Sequence, residues 1–359
     1  MNAWTQRLQA QWYRVDGDGG GGALANSLLP LAWVYGLLLR LRARLYRRGW
    51  LRTETLAVPV IVVGNWIVGG AGKTPTILAL LSQLEATGLR AGVISRGYGR
   101  ADDRPRLVSR NCSAAQVGDE PLLIHLRSGA PVAVGRDRVA AARLLLQAHP
   151  ELQLLLSDDG LQHLRLPRDL AVLLFDERGL GNGRLLPAGP LRQAPSGKLQ
   201  SHELVLYNAA QPSTPLPGFM ARRSLAGAVS LDGWWRGEPA RMDTLLALQG
   251  HRLLATAGMA HPTRFFDMLA ASGLVFEALP LADHFDFASL PWLSPAHAGI
   301  DDVLLTEKDA VKLQPQRCKD KRIWVVTLDF SPEQAFQQAI QQRLAPLLRP
   351  ANQLPQKYG

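Results

Sequence analysis

Residues 69–74 read Gly69-Gly70-Ala71-Gly72-Lys73-Thr74, directly after an apolar run at 58–64. A strand, a glycine-rich turn and a helix start ending in Lys and Thr suit a nucleotide triphosphate. Glycines let backbone N–H groups approach the phosphates, and the helix N-terminus adds the positive end of its dipole. Lys73 would reach the β- and γ-phosphates, and Thr74 would hold Mg2+. Ile67 occupies the first glycine position of the GxxxxGK[ST] pattern, so the stretch is nearer a GGxGK[ST] variant. Such a turn says only that a nucleotide binds. Phosphoryl transfer also needs metal ligands, a base and an acceptor site.

Four further clusters are candidates for those parts. The apolar run 152–156 ends in Ser157-Asp158-Asp159-Gly160-Leu161-Gln162-His163. An acidic residue closing a buried strand is where P-loop enzymes hold Mg2+ or its waters, and two adjacent carboxylates are costly there without a cation. Either Asp158 or Asp159 fits that role. Gly118-Asp119-Glu120-Pro121 opens a helical pattern, so Asp119 reads equally as an N-cap or as a chemical group. Arg96, Tyr98 and Arg100 stand in a glycine-loosened loop after the run 90–95, a strand-end position suited to an anionic sugar or phosphate. Asp283-His284 and Thr306-Glu307-Lys308-Asp309 are weaker signals further on.

The elements that must position these residues alternate. Apolar runs at 58–63, 90–95, 131–134, 152–156, 170–175 and 202–206 predict strands. Helical patterns at 75–87, 119–127 and 136–148 lie between them. This is the pattern of a mainly parallel α/β sheet covered by helices, as in P-loop NTPases. Residues 211–217 read as a loop and 221–235 as an extended connecting ribbon. A second α/β series begins near His251, with strands at 252–256, 274–279, 303–305 and 323–327 and helices at 262–271 and 332–347. The expected division is an N-terminal segment 1–57, a P-loop core 58–215, a hinge 216–250 and a smaller second lobe 251–359.

The chain has 359 residues, 47% hydrophobic and 19% charged, enough to bury a large core and too apolar for disorder. Its net charge of +10 admits an anionic substrate, membrane or nucleic acid. Two cysteines, Cys112 and Cys318, argue against a zinc site and a disulfide framework. No signal peptide is evident in the first 18 residues. The apolar part of residues 28–52 spans only 12 residues, against the roughly 20 a transmembrane helix needs. Trp33, Tyr35, Tyr46 and Trp50 beside Arg40, Arg42, Arg44, Arg47, Arg48 and Arg52 instead predict an amphipathic helix at a lipid interface. The Gly17–22 run before it reads as a loop. Basic residues concentrated beside an apolar aromatic helix disfavour nucleic acid as a partner.

Taken in order, the pieces Gly69-Gly70-Ala71-Gly72-Lys73-Thr74-Pro75, Gly118-Asp119-Glu120-Pro121, Asp158-Asp159-Gly160-Leu161-Gln162-His163, Leu186-Pro187-Ala188-Gly189-Pro190-Leu191-Arg192 and Asp283-His284 closely resemble the tetraacyldisaccharide 4′-kinase (LpxK) family. The resemblance runs from about residue 25 to residue 330. It implies a membrane-associated kinase, peripheral on the cytoplasmic face of the bacterial inner membrane, using ATP and Mg2+. Such a kinase phosphorylates the 4′-hydroxyl of the lipid A disaccharide precursor to give lipid IVA. It implies Asp119 as base and His284 as its partner, with the family's paired Asp on Asp158 and Asp159. Lys73 is the expected charge-stabilising group, and Arg96, Tyr98, Arg100, Gln162 and His163 are candidates to bind the acceptor. Closure of the two lobes is expected to bring His284 to Asp119. The chain departs from the family at Gln193, where Glu usually follows the Arg of the PLR motif.

Overall fold

A computed structural model describes residues 3–13, 22–100, 102–318 and 320–348. The expected Gly17–22 loop lies, but for Gly22, outside the described residues. In chain order, helices α1 (Ala3–Trp12), α2 (Ala23–Ser27) and α3 (Leu29–Arg47) precede strand β1 (Val60–Gly64), helix α4 (Lys73–Ala86) and β2 (Ala91–Ser95). Then come β3 (Arg106–Leu107), α5 (Ala114–Val117), α6 (Asp119–Ser128), β4 (Val132–Val134), α7 (Arg138–Ala148), β5 (Leu154–Asp158), β6 (Leu170–Asp176) and β7 (Glu203–Asn208). The long β8 (Phe219–Ser230) leads to α8 (Leu231–Arg236), α9 (Met242–Leu246), β9 (Leu253–Ala257), α10 (Thr263–Ala271) and β10 (Phe276–Pro280). The chain closes with β11 (Asp302–Thr306), α11 (Glu307–Ala310), β12 (Arg322–Pro332) and α12 (Gln334–Leu344).

These elements form two compact units. Met1–Arg96, Asp137–Arg222 and Pro332–Gly359 make one, and Gly97–Arg136 with Arg223–Ser331 make the other. This differs from the contiguous division read from the sequence. Helix α6, expected in the nucleotide core, belongs to the second unit, where Arg127 pairs with Glu307 of α11. Helix α12, expected in the second lobe, returns to the first unit. There Glu333 N–H donates to the Met220 carbonyl at 3.0 Å, and Gln83 Nε2 donates to the Gln337 carbonyl at 2.7 Å. The expected ribbon at 221–235 is extended only as far as Ser230. That residue caps α8 by accepting the Gly233 N–H at 3.1 Å, so 231–235 are helical.

In the first unit β1 lies between β5 and β6, β2 pairs with β5, and β7 with β6, all parallel. Every residue of β1, β2, β5, β6 and β7 is buried. Strands covered on both faces read as unbroken apolar runs, which is why they were visible in the sequence. In the second unit β10, β9, β11 and β12 form a parallel sheet in that order, and β3 pairs antiparallel with β4. Phe265 and Leu269 of α10 pack with Leu253, Ala255 and Leu304 in the core of that unit.

Helix α3 has two unlike sides. Ala32 and Gly36 are buried; a Cβ on Gly36 would meet Leu185 Cδ1 at 2.9 Å, and the Tyr35 hydroxyl donates to the Arg192 carbonyl at 3.0 Å. Leu31, Val34, Leu38 and Leu41 form an exposed stripe at helical spacing, and Trp33 beside it is 72% exposed. The clustered arginines are all exposed. Among the described residues no helix is long and apolar enough to cross a membrane.

Candidate active site

The glycine-rich turn leaves the carboxyl end of β1 and feeds α4, whose N-cap, Gly72, has φ +96°. A Cβ there would approach Asn208 Nδ2 to 2.4 Å, so only glycine fits. The carbonyls of the turn are tied one by one. Asn65 Nδ2 donates to Gly69 O at 2.9 Å, Arg178 Nη2 to Gly70 O at 2.6 Å, Asn208 Nδ2 to Ala71 O at 3.1 Å and the Thr76 hydroxyl to Gly72 O at 2.8 Å. With its acceptors engaged from behind, the turn offers amides, the groups a polyphosphate needs. Lys73 Nζ donates to Asn65 Oδ1 at 3.5 Å.

Asp158 ends β5 in register with Val63 of β1, and its Oδ2 accepts the Ser95 hydroxyl at 2.9 Å. Asp159 has φ +51°, a conformation non-glycine residues rarely adopt and one that tends to mark functional sites. Arg192 grips both of its oxygens, at 2.9 and 2.7 Å, and also donates to Asn65 Oδ1 at 2.8 Å. Burial opposes the Asp159 charge. Arg192, with the nearby charges of Lys73 and Arg138, outweighs burial and holds the carboxyl below its ordinary range.

The other carboxylate of interest lies in the second unit. Asp119 is the first residue of α6, only 9% exposed, and its Oδ2 accepts the His284 Nδ1–H at 2.9 Å. Gly118, at φ +92°, makes the turn before it, where a Cβ would meet Gly97 at 3.0 Å. Burial pushes the Asp119 carboxyl up. The His284 hydrogen bond and charge, with its own backbone N–H, more than reverse this and leave it below the ordinary range. His284 is raised in turn, first by the Asp119 hydrogen bond, against burial and Lys308. Its φ of +59° is a second rare backbone conformation. Asp119 and His284 therefore meet within one unit, and no closure of lobes is needed to pair them.

The Thr306–Asp309 segment holds that histidine turn. Lys308 Nζ donates to Asp283 Oδ1 at 3.0 Å, Asp309 Oδ2 accepts the Thr306 hydroxyl at 2.8 Å, and Lys312 bonds Asp309 and lies 5.1 Å from the Phe287 ring. Tyr98, largely exposed, lies 5.7 Å from the His284 ring. Arg96 is exposed, whereas Arg100 turns back to the Arg104 carbonyl at 2.8 Å. Gln162 donates to Gln193 Oε1 at 3.2 Å, and half-buried His163 has its basicity lowered by burial and by Arg138. Sequence reasoning missed Asp176, Arg178 and Asn208 as supports of the turn. Their signal was a polar residue closing, or just following, an apolar strand.

A parallel sheet with an amide-presenting glycine turn at the end of its central strand, in a chain that also carries a histidine-paired buried carboxylate, defines a P-loop phosphotransferase. The sequence model for tetraacyldisaccharide-1-P 4′-kinase, LpxK, matches residues 24–345. A tetraacyldisaccharide 4′-kinase of Methylibium petroleiphilum is 52% identical over 347 residues, covering 95% of this chain and 94% of that protein. One of Leptothrix cholodnii is 50% identical over 340 residues, covering 94% and 96%. The structure of LpxK from Aquifex aeolicus in complex with ATP is similar at a TM-score of 0.75 and 27% identity, covering 91% of this chain and 100% of that one. The chain belongs to the tetraacyldisaccharide 4′-kinase family.

Proposed function

We propose that Asp119 is the base with which this chain, an ATP-dependent kinase of lipid A biosynthesis, phosphorylates the 4′-hydroxyl of a tetraacylated glucosamine disaccharide 1-phosphate. The observation that carries the reading is the buried, charged Asp119 held by His284 at 2.9 Å. Glycines 69–72 take the phosphates of ATP, and Lys73 neutralises charge on the phosphoryl group as it moves. In a loose transition state the acceptor proton leaves late, so a carboxylate of low basicity suffices. His284 keeps Asp119 ionised and aimed.

Asp158 and Thr74 are the donors that fit Mg2+. Asp159 already has both oxygens on Arg192. Mg2+ keeps several waters and takes one or two protein oxygens beside the phosphates, so a small donor set is enough. When bound, it supplies neutralisation of phosphate charge. The test is transfer from γ-labelled ATP to tetraacyldisaccharide 1-phosphate in mixed micelles. Labelled lipid is expected, and a folded, ATP-binding chain that labels none would overturn the reading.

The acceptor's acyl chains keep it in a bilayer, and the exposed face of α3 is the surface that meets it, on the cytoplasmic side of the inner membrane. A contiguous apolar face rimmed by arginines has the chemistry of an interfacial helix. Replacing Arg40, Arg42, Arg44 and Arg47 by Gln removes about 1 kcal/mol of attraction to anionic lipid per residue. Recovery with anionic vesicles should fall sharply while ATP binding in solution persists. Unchanged sedimentation would sink the assignment.

A further inference from the structure

Helix α1 precedes the part of the chain that the family model matches, yet it is built into the nucleotide-binding unit. Trp12 is buried with Leu8 and Ala25, and Leu186 packs against them. The Trp12 indole donates to the Pro187 carbonyl at 3.1 Å, and its own carbonyl accepts the Asn182 N–H at 2.8 Å. A Cβ on Gly181, at φ +58°, would come within 2.8 Å of that carbonyl, so the loop is glycine where α1 crosses it. Gln11 Oε1 accepts the Ala25 N–H at 3.0 Å, which ties α1 to α2.

The next residue reaches the phosphate-binding turn through one intermediary. The Arg178 guanidinium lies 5.4 Å from the centre of the Tyr13 ring. It also bonds the Tyr13 hydroxyl, Asp176 (at 3.0 Å from Nε to both carboxylate oxygens) and the Gly70 carbonyl at 2.6 Å from Nη2. A Cβ added to Gly69 would stand 3.1 Å from Nη1. Arg178 is thus bounded by the Tyr13 ring, a fully buried carboxylate and the glycine turn. A ring face attracts and orients a guanidinium, more strongly where water is excluded.

We propose that Tyr13 is a positioning residue for ATP. Its ring and hydroxyl fix Arg178, and Arg178 fixes the Gly70–Ala71 peptide with its carbonyl turned away from the phosphates. Trp12 holds α1 on the 181–187 loop so that Tyr13 keeps this place. The idea rests on nucleotide binding at the glycine turn, and it assigns Tyr13 no contact with either substrate.

The test compares the full chain with Tyr13→Phe, Tyr13→Leu and Tyr13→Ala by calorimetric ATP binding and by KM and kcat for ATP. Leu keeps apolar bulk without a ring face, so it separates orientation of Arg178 from packing. Tyr13→Leu and Tyr13→Ala are expected to weaken ATP binding and raise its KM by about threefold to tenfold, the range of one cation–π contact, with kcat nearly unchanged. Tyr13→Phe keeps the ring and loses the hydroxyl bond to Arg178, so its loss should be smaller than that in Tyr13→Leu. Parent-like ATP affinity in a folded Tyr13→Leu chain would overturn the proposal, as would a loss in Tyr13→Phe equal to that in Tyr13→Leu. A parent chain that binds no ATP would bring down the kinase reading itself, a result distinct from either.

Discussion

Asp119→Asn is expected to lower phosphate transfer by about 10²–10⁴-fold, the range of a general base, with ATP affinity unchanged. The substitution keeps size and leaves an oxygen to accept the His284 N–H, so folding should survive and only proton acceptance is lost. The pH dependence follows from the two shifts. Asp119 has its folded pKa depressed, so its contribution to stability is present above its unfolded value near 3.9 and is lost as pH falls through the folded value. His284 has its folded pKa raised, so its contribution is complete below about 6.5 and is lost as pH rises through the folded value. The pair is strongest between those limits. With the Asp119 charge gone, burial and Lys308 remain to depress His284. An NMR titration should therefore show its midpoint above about 6.5 in the parent and lower in Asp119→Asn. Transfer within tenfold of the parent would remove Asp119 from its role.

Lys73→Ala is expected to cost about 10²–10³-fold or more in turnover, because preorganised charge on the moving phosphoryl group is usually the largest catalytic contribution. Here the lysine starts the helix that follows the glycine turn and is oriented by Asn65, itself held by Arg192. Lys73→Arg should recover little, since a planar fork cannot replace a compact ammonium in a fixed cradle. Single-turnover transfer at saturating ATP separates this effect from weaker binding. Near-normal turnover in the alanine variant would discredit the glycine turn as the catalytic cradle.

The chemistry was legible in the sequence where one residue type at one spacing has few other uses. The Gly-Gly-Ala-Gly-Lys-Thr turn is such a case, because its glycines, lysine and threonine each answer a demand of a polyphosphate. The parallel strands were legible because burial on both faces leaves no alternation to confuse. Asp119 was half legible: at a helix start a capping carboxylate and a chemical one look alike, and its bond to His284, 165 residues away in sequence, appears only in the fold. The grouping of α6 with the second unit and α12 with the first was not legible, since it depends on long-range contacts such as Arg127 with Glu307. Nor was the end of the ribbon at Ser230, where a cap and a short helix override an extended-looking run. Arg178 was marked only as a polar residue just after an apolar strand, and nothing in the sequence ties it to Gly70, more than a hundred residues earlier.

The four tethered carbonyls of the glycine turn carry a thermodynamic consequence. Their donors come from just past β1 and β6, from the last residue of β7 and from α4, so the cradle exists only when those separate stretches are folded together. The turn cannot melt alone, and a nucleotide that binds it acts as a folding ligand for the whole parallel sheet. By mass action, ATP at a hundred times its dissociation constant would add about 2.7 kcal/mol to the unfolding free energy of that unit. The melting temperature of that unit is therefore expected to rise with ATP concentration, which a thermal shift titration reads directly.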